Sequence, residues 1–194
     1  MKYPALRKIK SLYFTANEVA EALSIRPESA RVLCSRYVAG RMLIRLKRNV
    51  YMLKERWDYL DESEIMRVAN ILQVPSYISL TTALSYYGCT TQMQQHFVES
   101  VGLNRTYNRT IEKVEFNYIK VSRVFYYGFD RQKEVFIASP EKALADALYL
   151  TSLGRYSLDF AALEKSRIDL KKLEVLLKTF PEKTGKLWRA YGTI

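Results

Sequence analysis

The chain has few of the residues from which metal sites and disulfides are built. Its 194 residues include one histidine, His96, and two cysteines, Cys34 and Cys89. One histidine precludes a multi-histidine cluster, and without a Cys-x-x-Cys spacing we expect no metal site. The cysteines lie far apart, so we interpret them as small buried hydrophobes in a reducing compartment rather than as a disulfide.

Long apolar runs are also missing. None approaches the ~20 residues that cross a bilayer, and the amino terminus lacks the apolar stretch and cleavage site of a signal peptide. The sequence therefore predicts a cytoplasmic protein with no membrane segment. It contains no glycine-rich phosphate loop, nucleophile elbow or kinase signature. We accordingly expect no catalytic residues and no cofactor.

Acidic residues are scarce at the start of the chain. Residues 1–57 contain thirteen Lys and Arg and four acids, whereas residues 58–194 contain eighteen bases and sixteen acids. The positive charge is therefore localised, and a polyanion is the expected partner of this region. The change in composition, together with the length of the chain, favours two domains, 1–57 and 58–194.

The basic region has the pattern of two short helices joined by a turn. Thr15 and Glu18 have capping-box spacing, which predicts a helix that ends at Leu23. Pro27 suits the first turn of a second helix, and Gly40 suits its end. The predicted buried stripe of the second helix, at positions i, i+3, i+4 and i+7, consists of Ala30, Leu33, Cys34 and Tyr37.

A basic hairpin follows the two helices. Residues 42–46 and 50–53 are predicted strands joined across Lys47, Arg48 and Asn49. A further helix over residues 3–12 is expected to complete a three-helix core. The sequence thus predicts a winged helix-turn-helix, in which the hairpin is the wing and the second helix enters the major groove of double-stranded DNA. The expected DNA-binding residues are Arg26, Ser29, Arg31, Ser35, Arg36, Arg45, Lys47, Arg48 and Asn49.

These residues are expected to act in two ways. Arg31, Ser35 and Arg36 are candidates for contacts with base edges, since an arginine bidentate to guanine is the commonest specific contact. Arg26, Lys47 and Arg48 are expected to contact phosphates, and Arg45 to support the wing. The alternative is a basic surface that only keeps the protein in solution.

The remaining sequence predicts a larger α+β domain with an antiparallel sheet and C-terminal helices. In residues 114–118, apolar and polar side chains alternate, as in a strand buried on one face. Ser139 and Pro140 begin a helix that ends at Gly154. The other predicted helices cover residues 61–72, 80–87, 158–165 and 169–180, and the other predicted extended segments cover 77–79, 97–101, 124–127 and 135–138.

Two motifs in this larger part resemble the AbiEi family of antitoxins. They are the string YISLTTAL at 77–84, followed by Gly88, and the string VFIASPEKALAD at 135–146. The basic region ending in Val50 and Tyr51 is similar to that family as well, so the resemblance covers almost the whole chain. The sequence departs from the family pattern at Ser24 and Asn49, where glycine is frequent.

The resemblance implies a type IV antitoxin of an abortive infection system. Such a protein is encoded beside a nucleotidyltransferase-like toxin, represses its own operon at an inverted repeat, and counters the toxin. Direct contact with the toxin is left open. Glu141, Lys142 and Asp146 are interpreted either as a polar surface directed at the toxin or as a solvated helix turn with an i,i+4 ion pair. The aromatic residues Tyr126, Tyr127, Phe129 and Phe136 could stack on RNA or form an interface, but core packing is favoured for most of them.

Two other functions fit the sequence. The protein could be a transcription factor whose larger domain senses a ligand or dimerises, with no toxin partner. It could also be a metal-dependent nuclease, if Glu115 and Asp130 assemble a metal centre near Lys120 and Lys133. Carboxylates on the polar face of a strand are usually only solvated, so the nuclease is the less favoured alternative.

Overall fold

A computed structural model describes residues 3–191. The chain divides into two compact units, one extending to Val68 and the other beginning at Ala69. The elements of the first unit are α1 (Tyr3–Leu6), β1 (Phe14–Thr15), α2 (Ala16–Leu23), α3 (Pro27–Ala39), β2 (Leu43–Lys47), β3 (Val50–Leu53), α4 (Lys54–Trp57) and the first part of α5 (Glu62–Leu72).

Local caps place the two helices of the basic region where the sequence predicts them. The Thr15 hydroxyl accepts from the Glu18 amide (3.3 Å) and the Glu18 carboxylate accepts from the Thr15 amide (2.7 Å), so the capping box is formed. Helix α2 ends at Leu23, and the next residue, Ser24, caps it with φ = 50°. A serine here thus adopts the left-handed conformation for which glycine is the usual residue. Pro27 then begins α3.

The first unit contains a three-stranded antiparallel sheet in the order β1-β3-β2. The predicted hairpin is confirmed, but the predicted helix over residues 3–12 is wrong, since α1 covers only Tyr3–Leu6. Phe14 instead pairs with Tyr51 as the third strand. Pairing with a strand distant in sequence therefore decides the structure of this segment, which local periodicity cannot indicate. The shared core includes Leu6, Phe14, Val19, Ala30, Cys34, Leu43 and Tyr51.

The first unit continues past the predicted domain boundary at residue 57. The helical turn α4 ends at this boundary and packs against β2 and β3. The Arg7 guanidinium pairs with the Glu55 carboxylate (Nη2 to Oε2, 2.7 Å), and Arg56 pairs with Glu64 in α5 (3.5 Å). The Arg56–Glu64 pair thus joins residues on both sides of the predicted boundary within one unit.

The second unit is built on a six-stranded sheet in the order β6-β7-β5-β4-β9-β8. The sheet is mixed, because β5 is parallel to β7 and β4 is parallel to β9. The predicted antiparallel sheet is therefore wrong in part, since alternation indicates which face is buried but not the direction of the neighbouring strand. With both units, the protein has an α+β fold. The strands are β4 (Ser76–Ile78), β5 (Phe97–Gly102), β6 (Tyr107–Ile111), β7 (Val114–Lys120), β8 (Phe129–Gln132) and β9 (Val135–Ala138).

The second unit also contains helices. Helix α7 packs against α6, α8, α9 and β9. Its first turn is capped by the Ser139 hydroxyl, which accepts from the Lys142 amide (3.3 Å), as predicted. The helices are α6 (Leu80–Tyr86), α7 (Pro140–Ser152), α8 (Leu170–Leu177) and α9 (Glu182–Tyr191). Within the described residues no helix is both long and apolar enough to span a bilayer.

Two predicted elements of the second unit are wrong. Residues 124–127 are not a strand, since a 3₁₀ turn covers Arg123–Phe125 and the Phe125 ring stacks on that of Phe180 (4.7 Å between centroids). Residues 158–165 are not a helix, and part of this segment binds the loop after α6, where the Glu164 amide donates to the Cys89 carbonyl (2.9 Å). Both segments are apolar because they pack on neighbouring elements, whatever their own backbone conformation.

Candidate nucleic-acid interface

Helix α3 has one buried face and one exposed face. Ala30 and Cys34 are fully buried, and the Tyr37 ring packs edge-on against Tyr3 (5.6 Å between centroids). Burial raises the pKa of the Cys34 thiol to about 11, because the thiolate would lose its hydration there. Four of the predicted DNA-binding residues lie at exposed positions of α3: Ser29, Arg31, Ser35 and Arg36.

The two arginines of this surface do not lie side by side. Arg31 and Arg36 are five residues apart, which places them ~140° apart around the helix axis. They therefore mark the two edges of the exposed face, and Ser35 and Val32 lie between them. The exposed face also includes one acid, Glu28, in the first turn of α3.

The β2–β3 hairpin presents the remaining predicted residues. Arg45 and Arg48 are exposed and Lys47 is partly buried. The strand register shifts between Arg45 and Lys47. Asn49 has φ = 59°, and its side-chain oxygen accepts from the Ala16 amide (3.3 Å). Asn49 thus holds the hairpin turn against the start of α2, a role that the sequence pattern did not indicate.

Several of these cations form no ion pair with an acid in the described part of the chain. Within residues 3–191, no ion pair involves Arg31, Arg36 or Arg48, nor Arg26, which is exposed at the start of α3. Arg7 of the same unit, by contrast, is paired with Glu55 through two hydrogen bonds. The unpaired arginines are therefore available to an external anion such as a phosphate.

Val32 was not among the predicted site residues, although it occupies the middle of the exposed face. Its exposed fraction is 52%. It lines an open surface depression together with Ile25, Glu28, Ser29, Leu33 and Arg36. The sequence does contain a signal for Val32, since helical geometry places it opposite Ala30 and Cys34.

The carboxylates of the nuclease hypothesis are not brought together. Glu115 lies on β7 and Asp130 on β8, and three strands separate β7 from β8. At the usual strand spacing the two residues are roughly 19 Å apart. The Glu115 carboxylate accepts from the Asn108 side chain (3.2 Å). In the described part of the chain no group of three or more His, Cys, Asp or Glu residues could hold a metal ion.

The charges at the start of α7 are buried, so neither the polar surface directed at the toxin nor the favoured alternative of a solvated helix turn is correct, although the i,i+4 pair of that alternative is present. Lys142 and Asp146 form an i,i+4 ion pair in which both side chains are fully buried. The Lys142 ammonium also donates to the Tyr77 hydroxyl (2.9 Å). Both the Tyr77 hydroxyl (2.8 Å) and the Ser79 hydroxyl (2.9 Å) donate to Asp146. The Ser79 hydroxyl is therefore used in this buried cluster, and it makes no capping hydrogen bond to α6 although Ser79 is the N-cap residue.

Aromatic rings and backbone enclose this buried cluster. The Lys142 ammonium lies 5.4 Å from the Tyr77 ring centroid, 5.2 Å from that of Tyr127 and 5.5 Å from that of Phe180. Phe129 stacks on Tyr77 (4.4 Å), which confirms the core packing predicted for Phe129. Phe136 remains 43% exposed, so for this residue core packing is incomplete.

Burial affects the protonation of the cluster, which solvent does not reach. Loss of hydration raises the pKa of Tyr77 well above its usual value, and the Asp146 charge adds to this effect. Burial also raises the pKa of Asp146, opposed by the Lys142 ammonium and the two hydroxyls. Glu141 is nearly buried as well (6% exposed), and its carboxylate accepts from Ser139 and pairs with Lys172 (2.9 Å).

A second buried acid, Glu99, lies on β5. Its exposed fraction is 2%. One carboxylate oxygen, Oε2, accepts from the Thr81 amide (3.1 Å), the Gln94 side chain (3.0 Å) and the Tyr156 hydroxyl (3.0 Å). Burial raises the pKa of Glu99, while the hydrogen bonds act in the opposite direction. Like the Lys142 cluster, this carboxylate is enclosed by partners from its own unit.

Comparison with known proteins identifies the fold only. No protein-family model matches this chain, and no curated protein matches it. Among solved structures, the chain is similar to the RV2827C protein from Mycobacterium tuberculosis, with a TM-score of 0.60 and 10% sequence identity. The similarity covers 98% of this chain and 75% of that chain. At this level of identity, the likeness shows a shared α+β architecture.

Proposed function

We propose that this protein binds double-stranded DNA through a winged helix-turn-helix made of α2, α3 and the β2–β3 hairpin. In this proposal it represses its own operon and, as an antitoxin, counters a nucleotidyltransferase-like toxin encoded beside it. The observation that carries the DNA-binding proposal is that three exposed arginines of α3 and the hairpin, Arg31, Arg36 and Arg48, form no ion pair within residues 3–191. Such a surface is left with uncompensated positive charge, which duplex phosphates would neutralise.

The geometry of α3 suits a major groove. A helix with its side chains is about 10–12 Å across, and the groove of B-DNA is about 12 Å wide. With Arg31 and Arg36 at opposite edges of the exposed face, one arginine would reach each wall of the groove while Val32 and Ser35 face its floor. Arg26, at the start of α3, lies at the end of the helix that usually contacts bases.

The antitoxin role is taken from the resemblance of the strings at 77–84 and 135–146 to motifs of the AbiEi family. Tyr77 and Ser79 of the first string bind Lys142 and Asp146 of the second. The motifs therefore contribute side chains to the core of the second unit. We place any contact with the toxin on the exposed surface of that unit, outside the buried cluster.

The DNA-binding proposal is tested by titrating full-length protein with a duplex from upstream of its own gene and with a scrambled duplex. The variant Arg31→Ala/Arg36→Ala/Arg48→Ala should bind the upstream duplex at least ten times more weakly, because three phosphate or base contacts are lost. A matched variant, Lys171→Ala/Lys178→Ala/Lys183→Ala, removes the same charge from exposed positions in the second unit. It should retain most of the affinity. Equal losses in the two variants would contradict a localised binding surface.

The antitoxin proposal is tested by co-expression with the product of the neighbouring gene. If that gene encodes a nucleotidyltransferase-like toxin, full-length protein should restore growth. The triple arginine variant, which cannot repress, should also restore growth if neutralisation belongs to the second unit. Autorepression without rescue by either protein would favour the alternative of a transcription factor with no toxin partner.

A further inference from the structure

We infer that Val32 is a specificity-determining residue that contacts the 5-methyl group of a thymine in the major groove. This inference rests on the proposed DNA binding and adds to it the kind of base that the middle of α3 prefers. Val32 is about half exposed, although it is a β-branched apolar residue on a helix surface made mostly of polar and cationic side chains. Valine gains little from such a position in the free protein, since it has low helix propensity and remains hydrated.

The position of Val32 distinguishes it from an ordinary exposed hydrophobe. Single exposed apolar residues are common and by themselves indicate nothing. Val32, however, lies on the side of α3 opposite the fully buried Ala30 and Cys34, in the middle of the exposed face. Arg31 and Arg36 flank it. A duplex that both arginines contact would therefore also face Val32.

Val32 borders an open surface depression that has both apolar and polar lining. Ile25 and Leu33 contribute the apolar part together with Val32, and Glu28, Ser29 and Arg36 contribute the polar part. Among the base edges in the major groove, thymine alone presents a methyl group, and it does so beside an acceptor oxygen, O4. The apolar side chains match the methyl, and a serine or arginine donor matches the oxygen.

The test replaces the thymine methyl with hydrogen. Full-length protein selects its preferred duplex from a random pool, and each thymine of that duplex is then changed singly to uracil, which removes only the methyl group. At one position or more per half-site, uracil should weaken binding by wild-type protein about fourfold, the loss that corresponds to one buried methyl. Val32→Ala should bind the thymine and uracil duplexes equally, because the side chain that contacts the methyl is gone.

A matched variant shows whether the effect belongs to this position. Val175→Ala removes an exposed valine (63%) from α8 in the second unit, and it should retain the full uracil penalty. The inference is overturned if no uracil substitution weakens wild-type binding, or if Val32→Ala retains the penalty, while DNA binding itself would stand. Failure of the protein to bind any selected duplex would overturn the proposed function and this inference together.

Discussion

The two units of this protein differ in whether charged side chains are exposed or buried. In the first unit, Arg31, Arg36 and Arg48 are exposed, with no ion-pair partner in residues 3–191. In the second, Lys142 and Asp146 are fully buried and bind each other. An unpaired exposed cation is available to an external anion, whereas a buried one must be matched inside the protein, because its desolvation is costly. The comparison shows that charge indicates function only when its burial is known.

Packing explains the difference. Helix α3 packs against α2 and β2, so one side of it stays exposed. Helix α7 packs against three helices and a strand, and eight consecutive residues from Glu141 to Leu148 are buried. A polar residue on α7 therefore has no exposed face to occupy. The following predictions test this contrast between exposed and enclosed charge.

The largest effect is expected for Lys142→Met. The substitution removes the cation but leaves Asp146 buried, and breaking a buried pair from one side costs about 3–5 kcal/mol. The free energy of unfolding, measured by denaturant titration, should fall by this amount. Lys186→Met is the control, because Lys186 and Glu182 form an i,i+4 pair of the same type that is 66% and 76% exposed. The control should leave the unfolding midpoint nearly unchanged, and similar losses in both variants would contradict the contrast.

Gly128→Ala is expected to have the next largest effect. Gly128 has φ = +75°, and a Cβ atom there would lie 3.0 Å from Cγ of Lys142. The free energy of unfolding should fall by about 1–2 kcal/mol because alanine disfavours the left-handed conformation, and by about 1–3 kcal/mol more because of overpacking. Gly154→Ala is the matched control, since Gly154 has φ = +68° but nothing within 4 Å of the added Cβ. The losses in free energy of unfolding should differ between the two variants by the overpacking contribution alone. Equal losses would show that the Lys142 side chain moves aside without an energetic cost.

On the exposed side, we expect Arg31→Ala and Arg48→Ala to differ in kind. If Arg31 contacts a base edge, its loss should reduce discrimination between the selected and random duplexes by about 1–3 kcal/mol. If Arg48 contacts a phosphate, its loss should weaken both duplexes alike and lower the slope of log K against log salt by about 1. Binding titrations at several salt concentrations measure both quantities. An equal loss on both duplexes for Arg31→Ala would assign Arg31 to the phosphates.

The smallest effect is expected for Glu99→Gln and concerns pH. Burial raises the pKa of Glu99 in the folded state. The contribution of Glu99 to the free energy of unfolding should therefore be greatest below the carboxyl's usual pKa of about 4.5. That stability is lost as pH rises through the raised pKa. Glutamine can keep its oxygen at the Oε2 position, where the three donors converge, so Glu99→Gln should flatten this part of the pH profile. An unchanged profile in denaturant titrations across this range would show that Glu99 is not responsible.

Local signals predicted much of the first unit. The capping box of Thr15 and Glu18, the proline at the start of α3 and the spacing of Ala30 and Cys34 act within one or two helical turns, and all three were predicted. They also indicated which α3 residues would be exposed. The third strand at Phe14 was missed because its partner, Tyr51, is distant in sequence.

Prediction was weaker in the second unit. The strands β5, β7 and β9 were predicted from their apolar patterns, but β6 and β8, at the two edges of the sheet, have mixed polar sequences and were missed. The burial of Lys142 was also missed, because an i,i+4 lysine and aspartate on a helix are usually solvated. Tyr77 and Ser79, which form hydrogen bonds with this pair, lie more than 60 residues earlier in the chain.

Interactions between residues a few positions apart specified the helix ends, the hairpin and the face that α3 presents, since caps and periodicity act over that range. The direction of neighbouring strands, the attachment of Asn49 to the start of α2 and the enclosure of Lys142 and Asp146 depend on residues brought together from distant parts of the chain. Burial is a property of everything packed around a side chain. For that reason the same residue type, a cation on a helix, is a candidate DNA contact in α3 and an internal partner in α7.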